Sequence, residues 1–110
     1  MRLAKAARLR LRREFLAVQE RGRKLPAGAY LLLTLDNDRG RPRLGVTVSS
    51  RVGDAVTRNR VKRWVREAFR AAAPGLPDVD LVVVARSTAP EGGLEAARRA
   101  LRALAVGARP

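Results

Sequence analysis

Apolar positions along the chain change their period several times, and each change marks an element. Leu11, Phe15 and Val18 recur at i, i+4 and i+7, and Gly22 stands where a helix stops, which predicts a first helix over 12–21. Pro26 and Gly28 then open an apolar run, Ala29–Leu35, dense enough to be a strand buried on much of both faces. Asn37-Asp38-Arg39-Gly40 is a turn sequence, closed by Pro42. Beyond it the period becomes two. Leu44, Val46 and Val48 point one way, and Arg43, Gly45, Thr47 and Ser49 the other, so one face is core and the opposite one small, polar and open. A further short strand is expected around 49–52.

Gly53-Asp54 reads as a turn and an N-cap for a second helix. On a helical wheel Val61, Trp64, Val65, Ala68, Phe69 and Ala72 fall on one side, and Asn59, Lys62, Arg63, Arg66 and Arg70 on the other. Arg58 and Arg60 border the apolar face, and Pro74, Gly75 and Pro77 end the helix. Leu81–Ala85 is a Val-rich run suited to a central buried strand. Leu94, Ala97, Leu101 and Leu104 form the stripe of a last helix, with Gly107 as its stop. The order αβββαβα predicts an α+β, two-layer sandwich. At 110 residues this is a single domain, 1–110, and residues 1–8, which have no turn or cap, are expected to be a flexible basic arm.

Charge turns this scaffold toward a partner. Lys and Arg number 24 against 10 Asp and Glu, a net charge of +14, which calls for a polyanion, with nucleic acid the default. All but three of the cations (Lys5, Lys24 and Lys62) are arginines, whose planar guanidinium forks onto phosphate and stacks on bases. The cations fall in two blocks, nine in residues 1–24 and seven in 51–70, separated by a near-neutral apolar stretch. An open polar sheet face between basic blocks is a candidate platform for a nucleic-acid strand.

Catalytic chemistry is sparse by comparison. Histidine and cysteine are absent, which removes the commonest general base, the commonest metal ligand and every thiolate. Asp36/Asp38 and Asp78/Asp80 have D-x-D spacing, but one pair borders a turn and the other precedes a strand. Ser49, Ser50 and Ser87 have no histidine to activate them, and Glu91-Gly92-Gly93 lacks the spacing and lysine of a phosphate loop. The polypeptide alone is therefore expected to carry no catalytic residues and no metal site. No apolar run approaches the roughly 18–20 residues of a membrane span, and no signal-peptide pattern opens the chain, so a cytoplasmic protein is expected.

One stretch is specific. Arg58-Asn59-Arg60-Val61-Lys62-Arg63 is reached from Arg43-Leu44-Gly45-Val46-Thr47-Val48-Ser49 through Val52-Gly53-Asp54-Ala55-Val56. With Arg12-Arg13-Glu14-Phe15, Gly22-Arg23 and the strand Asp80–Arg86, this resembles the protein subunit of bacterial ribonuclease P over about residues 9–106. The resemblance implies a left-handed βαβ crossover within the sandwich, against the usual right-handed rule. It also implies an accessory subunit of an endoribonuclease that removes the 5′ leader of precursor tRNA. A large RNA is then the catalyst, with Mg²⁺ held mainly by that RNA. By position, Arg58, Asn59, Arg60, Lys62, Arg63 and Arg66 would dock on the catalytic RNA. Phe15, Thr47, Ser49, Arg51 and Arg86 would line a cleft for the single-stranded leader. Partners would be ribonuclease P RNA and the precursor tRNA leader, with no membrane and no small-molecule substrate. The family's second aromatic, one turn after Phe15, is Gln19 here, and its strand aromatic is Leu33, so arginine planes supply part of the stacking. Other readings remain open at this point: a ribosomal or other structural RNA-binding protein, a stand-alone ribonuclease using the D-x-D pairs, or a DNA-compacting protein.

Overall fold

The computed structural model describes residues 3–107, and Met1, Arg2 and residues 108–110 lie outside them. Helix α1 occupies Arg12–Arg21 as its periodicity predicts. Its start is capped from within, because Glu14 Oε1 accepts the backbone N–H groups of Arg10 (3.1 Å) and Leu11 (3.0 Å). Strands β1 (Arg23–Ala27), β2 (Tyr30–Asp36), β3 (Arg43–Thr47) and β4 (Val79–Ala85) form one sheet in the order β1-β2-β4-β3. Helices α2 (Ala55–Ala72) and α3 (Ala89–Gly107) follow β3 and β4. Gly93, at φ 60°, interrupts α3, so its regular part starts at Leu94 where the leucine stripe starts.

The order αβββαβα holds, but its third strand comes from an unexpected place. Residues 49–52, expected as a short strand, are a turn in which the N–H of Val52 donates to the carbonyl of Ser49 at 3.1 Å. The additional strand is β1, antiparallel to β2 through a two-residue connection at Gly28-Ala29. Gly28 has φ 59° and no other residue of the turn has positive φ, the type II′ pattern that suits the twist of a hairpin. Pro26 is tolerated because β1 is an edge strand, where a missing N–H can face away from the ladder.

The expected arm is seated from Leu3 onward. Leu3 and Leu9 are buried, Lys5–Ala7 forms a 3-10 turn, and the N–H of Leu9 donates to the carbonyl of Leu44 at 2.9 Å. Arg8 makes a parallel bridge to Leu44. The physical cause is the free edge of β3, whose unpaired backbone groups this segment covers.

Strands β3 and β4 are adjacent and parallel, and α2 is the crossover between them. One sheet face carries α2 and α3, with Tyr30, Leu32, Leu44, Leu81 and Val83 buried against Val61, Val65, Phe69 and Leu101. That is the predicted sandwich. The opposite face is partly covered by α1, through a smaller cluster of Leu9, Val18, Leu33 and Val82 with Phe15 half-buried beside it.

Candidate nucleic-acid interface

Helix α2 starts on a firm cap: Asp54 Oδ1 accepts the N–H of Thr57 at 2.8 Å. That bond, together with the Thr57 hydroxyl and the nearby Arg58 and Arg60, holds the Asp54 carboxyl below its ordinary pKa. Val61, Val65, Ala68 and Phe69 anchor the helix in the core, while Trp64 and Ala72 are half-buried at its margins. The opposite side carries the sequence-predicted docking residues. Asn59, Arg60, Arg63 and Arg66 are exposed, and Arg58 and Lys62 half-buried. From residue 58 to residue 66 the row spans about 12 Å at the rise of an α-helix. Among the described residues the ion pairs involve Arg43 and Arg102 alone, so no described carboxylate forms an ion pair with this row.

The predicted leader cleft is only partly assembled as expected. Arg43, Gly45 and Thr47 register with Asp80, Val82 and Val84, so they share the face that α1 partly covers, and Arg86 follows directly after the end of β4. Phe15 lies over Gly45, and Thr47 follows at about 6–7 Å along the strand. A small cavity of about 110 Å³ opens there, lined by Leu9, Phe15, Gly45, Val46, Arg8 and Arg66 among others. Ser49 and Arg51 sit beyond the end of β3, in the loop leading to α2, where Ser49 Oγ accepts the Arg51 N–H at 3.3 Å. Arg86 is exposed, and its N–H donates to the carbonyl of Ala29 at 2.8 Å. Phe15 and Thr47 therefore face the same side, with Arg86 just past the end of β4 and Ser49 and Arg51 just past the end of β3. Arg66, assigned to the docking row, also reaches this cavity. Arg8 and Leu9 were missed because their segment reads as an arm in sequence.

The face is not open and polar at its other end. Arg43 is buried, its Nε and Nη2 bonding the two Asp80 oxygens at 2.8 and 2.7 Å, and its Nη1 pairing with Glu14 Oε2 at 2.8 Å. Asn37 Nδ2 donates to Asp80 Oδ1 at 2.8 Å, closing the network. The hydrogen bond to Asp80, outweighing the cost of burial, and the pairing with Glu14 raise the Arg43 pKa above its ordinary value. Burial pushes the Glu14 pKa up, but the N–H groups of Leu11 and Arg10 and the Arg43 guanidinium outweigh it and hold the carboxyl below its usual range. Asp80, read from sequence as half of a D-x-D pair before a strand, is thus a structural partner. Among the described residues no three acidic side chains gather in the way a Mg²⁺ cage uses them. No helix among them is long and apolar enough to cross a membrane.

The chain is similar in sequence and in fold to known proteins. A protein-family model for ribonuclease P matches residues 3–108. The chain is 46% identical over 85 residues to a ribonuclease P protein component of Gluconacetobacter diazotrophicus, covering 74% of this chain and 73% of that protein. It is 41% identical over 101 residues to that of Shouchella clausii, covering 90% and 83%. Among solved structures, the ribonuclease P protein of Staphylococcus aureus superposes with a TM-score of 0.84 at 27% identity, covering 96% of this chain and 97% of that one. The Thermotoga maritima protein gives 0.81 at 34% identity, covering 94% and 98%.

Proposed function

The chain belongs to the ribonuclease P protein family and is a protein component of that endoribonuclease, and from this premise we propose how its surfaces divide the work. The α2 row of Arg58, Asn59, Arg60, Lys62, Arg63 and Arg66 docks on ribonuclease P RNA, mainly through phosphates. The 5′ leader of precursor tRNA lies along the side formed by Phe15 and Thr47, with Arg86, Ser49 and Arg51 beyond the strand ends, where an aromatic ring and cations suit a single strand of variable sequence. The RNA subunit supplies the cleavage chemistry and holds the Mg²⁺. This chain raises affinity for substrate and has no small-molecule substrate of its own. It works in the cytoplasm, where its RNA partners are made.

The observation that carries this reading is the cationic row on α2, without an ion pair among the described residues and fixed to the core by Val61, Val65 and Phe69. The test is reconstitution with a bacterial ribonuclease P RNA at low Mg²⁺. Adding the protein is expected to restore removal of the leader at the mature tRNA 5′ end. Cleavage by the protein without any RNA subunit, or no rescue with it, would overturn the proposal.

A further inference from the structure

A second depression, of about 520 Å³, opens at the start of α1 and is built from two stretches of chain far apart in sequence, residues 5–14 and 39–43. Lys5, Arg8 and Arg10 come from the N-terminal segment, Arg39 and Arg41 from the turn between β2 and β3. Arg43 and Glu14 complete the wall, but they are paired with each other, and Arg43 also with Asp80. The remaining five cations have no carboxylate partner among the described residues. Folding has gathered like charges from distant parts of the chain, a repulsive arrangement that an anion would relieve.

Arg8 gives independent support. Its Nε is buried and has no hydrogen-bond partner among the described residues, although a buried guanidinium N–H ordinarily finds an acceptor. It also lines both this depression and the smaller one beside Phe15, so the two share a wall.

We propose that this depression is a phosphate-binding site, separate from the α2 docking row. Several guanidiniums with forked donors suit the oxygens of a phosphate, and the volume accommodates the sugar that would accompany it in a polynucleotide. The phosphate can come from an RNA backbone that continues past Phe15 along the edge of β3, or from a free phosphate ion.

The test uses the full chain and the variant Arg39→Ala/Arg41→Ala, which keeps the turn's backbone bonds to Asn37 and so should fold. Arg98→Ala/Arg99→Ala, exposed on α3, removes the same charge elsewhere. Inorganic phosphate binding followed by NMR titration is expected to weaken about tenfold in the first variant and little in the second. An unstructured RNA octamer is titrated over a range of salt in parallel. With an RNA occupant its salt slope falls by about 0.7 for each phosphate that is no longer neutralised. Loss of phosphate binding with an unchanged octamer slope identifies free phosphate as the occupant. Equal phosphate affinity in wild type and Arg39→Ala/Arg41→Ala, or an equal loss in the α3 control, overturns the site. Phosphate binding here without rescue of leader removal would count against the role proposed above and leave this site standing.

Discussion

Gly45 lies directly beneath the ring of Phe15: a Cβ at residue 45 would fall 2.5 Å from Cε2 and 2.6 Å from Cζ. The strand needs a glycine there for close approach, since α1 rests its aromatic on the backbone of β3. Gly45→Ala is expected to lift or rotate the ring at an overpacking cost of about 1–3 kcal/mol. Stacking on Phe15 would then be lost, so binding of leader-bearing precursor tRNA should weaken about tenfold with little change for mature tRNA. Phe15→Ala should shift the same ratio without introducing a clash. Equal losses for both RNAs would remove Phe15 from the leader path.

Arg43 is the centre of the buried network, its side chain 10% exposed between Asp80 at 12% and Glu14 at 16%. Removing it leaves two carboxylates close together in a poorly hydrated site. Arg43→Met is expected to cost about 3–5 kcal/mol, read as a fall in the denaturant midpoint with an unchanged slope. Adding Asp80→Asn should recover part of that loss, because the uncompensated charge goes with it. Arg43→Lys should not restore wild-type stability, since a single ammonium cannot fork onto Asp80 while also reaching Glu14.

The same network sets an acid limit. The folded-state pKa of Glu14 lies below its ordinary 4.5. Between the two values the unfolded chain binds the proton and the folded one does not, so stability rises with pH across that interval. Glu14's contribution is therefore fully present above pH 4.5 and is lost as pH falls through the folded value. Thermal midpoints measured from pH 3 to pH 7 should show this loss in the wild type. Glu14→Gln should have a lower midpoint at pH 7 and a flatter profile below pH 5, and parallel profiles would exclude Glu14 as the titrating group.

These contrasts show which parts of the molecule sequence periodicity can carry. Helix α2 was legible because Val61, Val65, Ala68 and Phe69 mark its buried face, and Arg60 and Arg63 its wet one. The alternation in β3 assigned its two faces correctly but not their surroundings. Arg43 looked solvated because its partners lie 29 residues before it and 37 after, and no local pattern encodes such a meeting. β1 was obscured by Pro26, a signal against central strands that carries less weight at an edge. The segment at Leu3–Leu9 looked unstructured because its order comes from the free edge of β3, a feature of sheet topology. The residues proposed to dock on the RNA were readable as a local motif on one helix. The cavity beside Phe15 joins Arg8, Gly45 and Arg66, and became visible only once three elements were packed.

The α2 row can be tested charge by charge. Arg60 and Arg63 are exposed and hold no intramolecular ion pair among the described residues, so replacing either removes little from the folded chain. Arg60→Ala and Arg63→Ala should each unfold within about 0.5 kcal/mol of the wild type. Each should weaken binding to ribonuclease P RNA, and the slope of log affinity against log salt should flatten by about one unit for each phosphate left unneutralised. The effect should be similar across RNA sequences that keep the same structure, because phosphate contacts position the protein and do not read bases. Weaker binding with an unchanged slope would mean that the side chain meets a base or sugar, moving that arginine from charge neutralisation to direct readout.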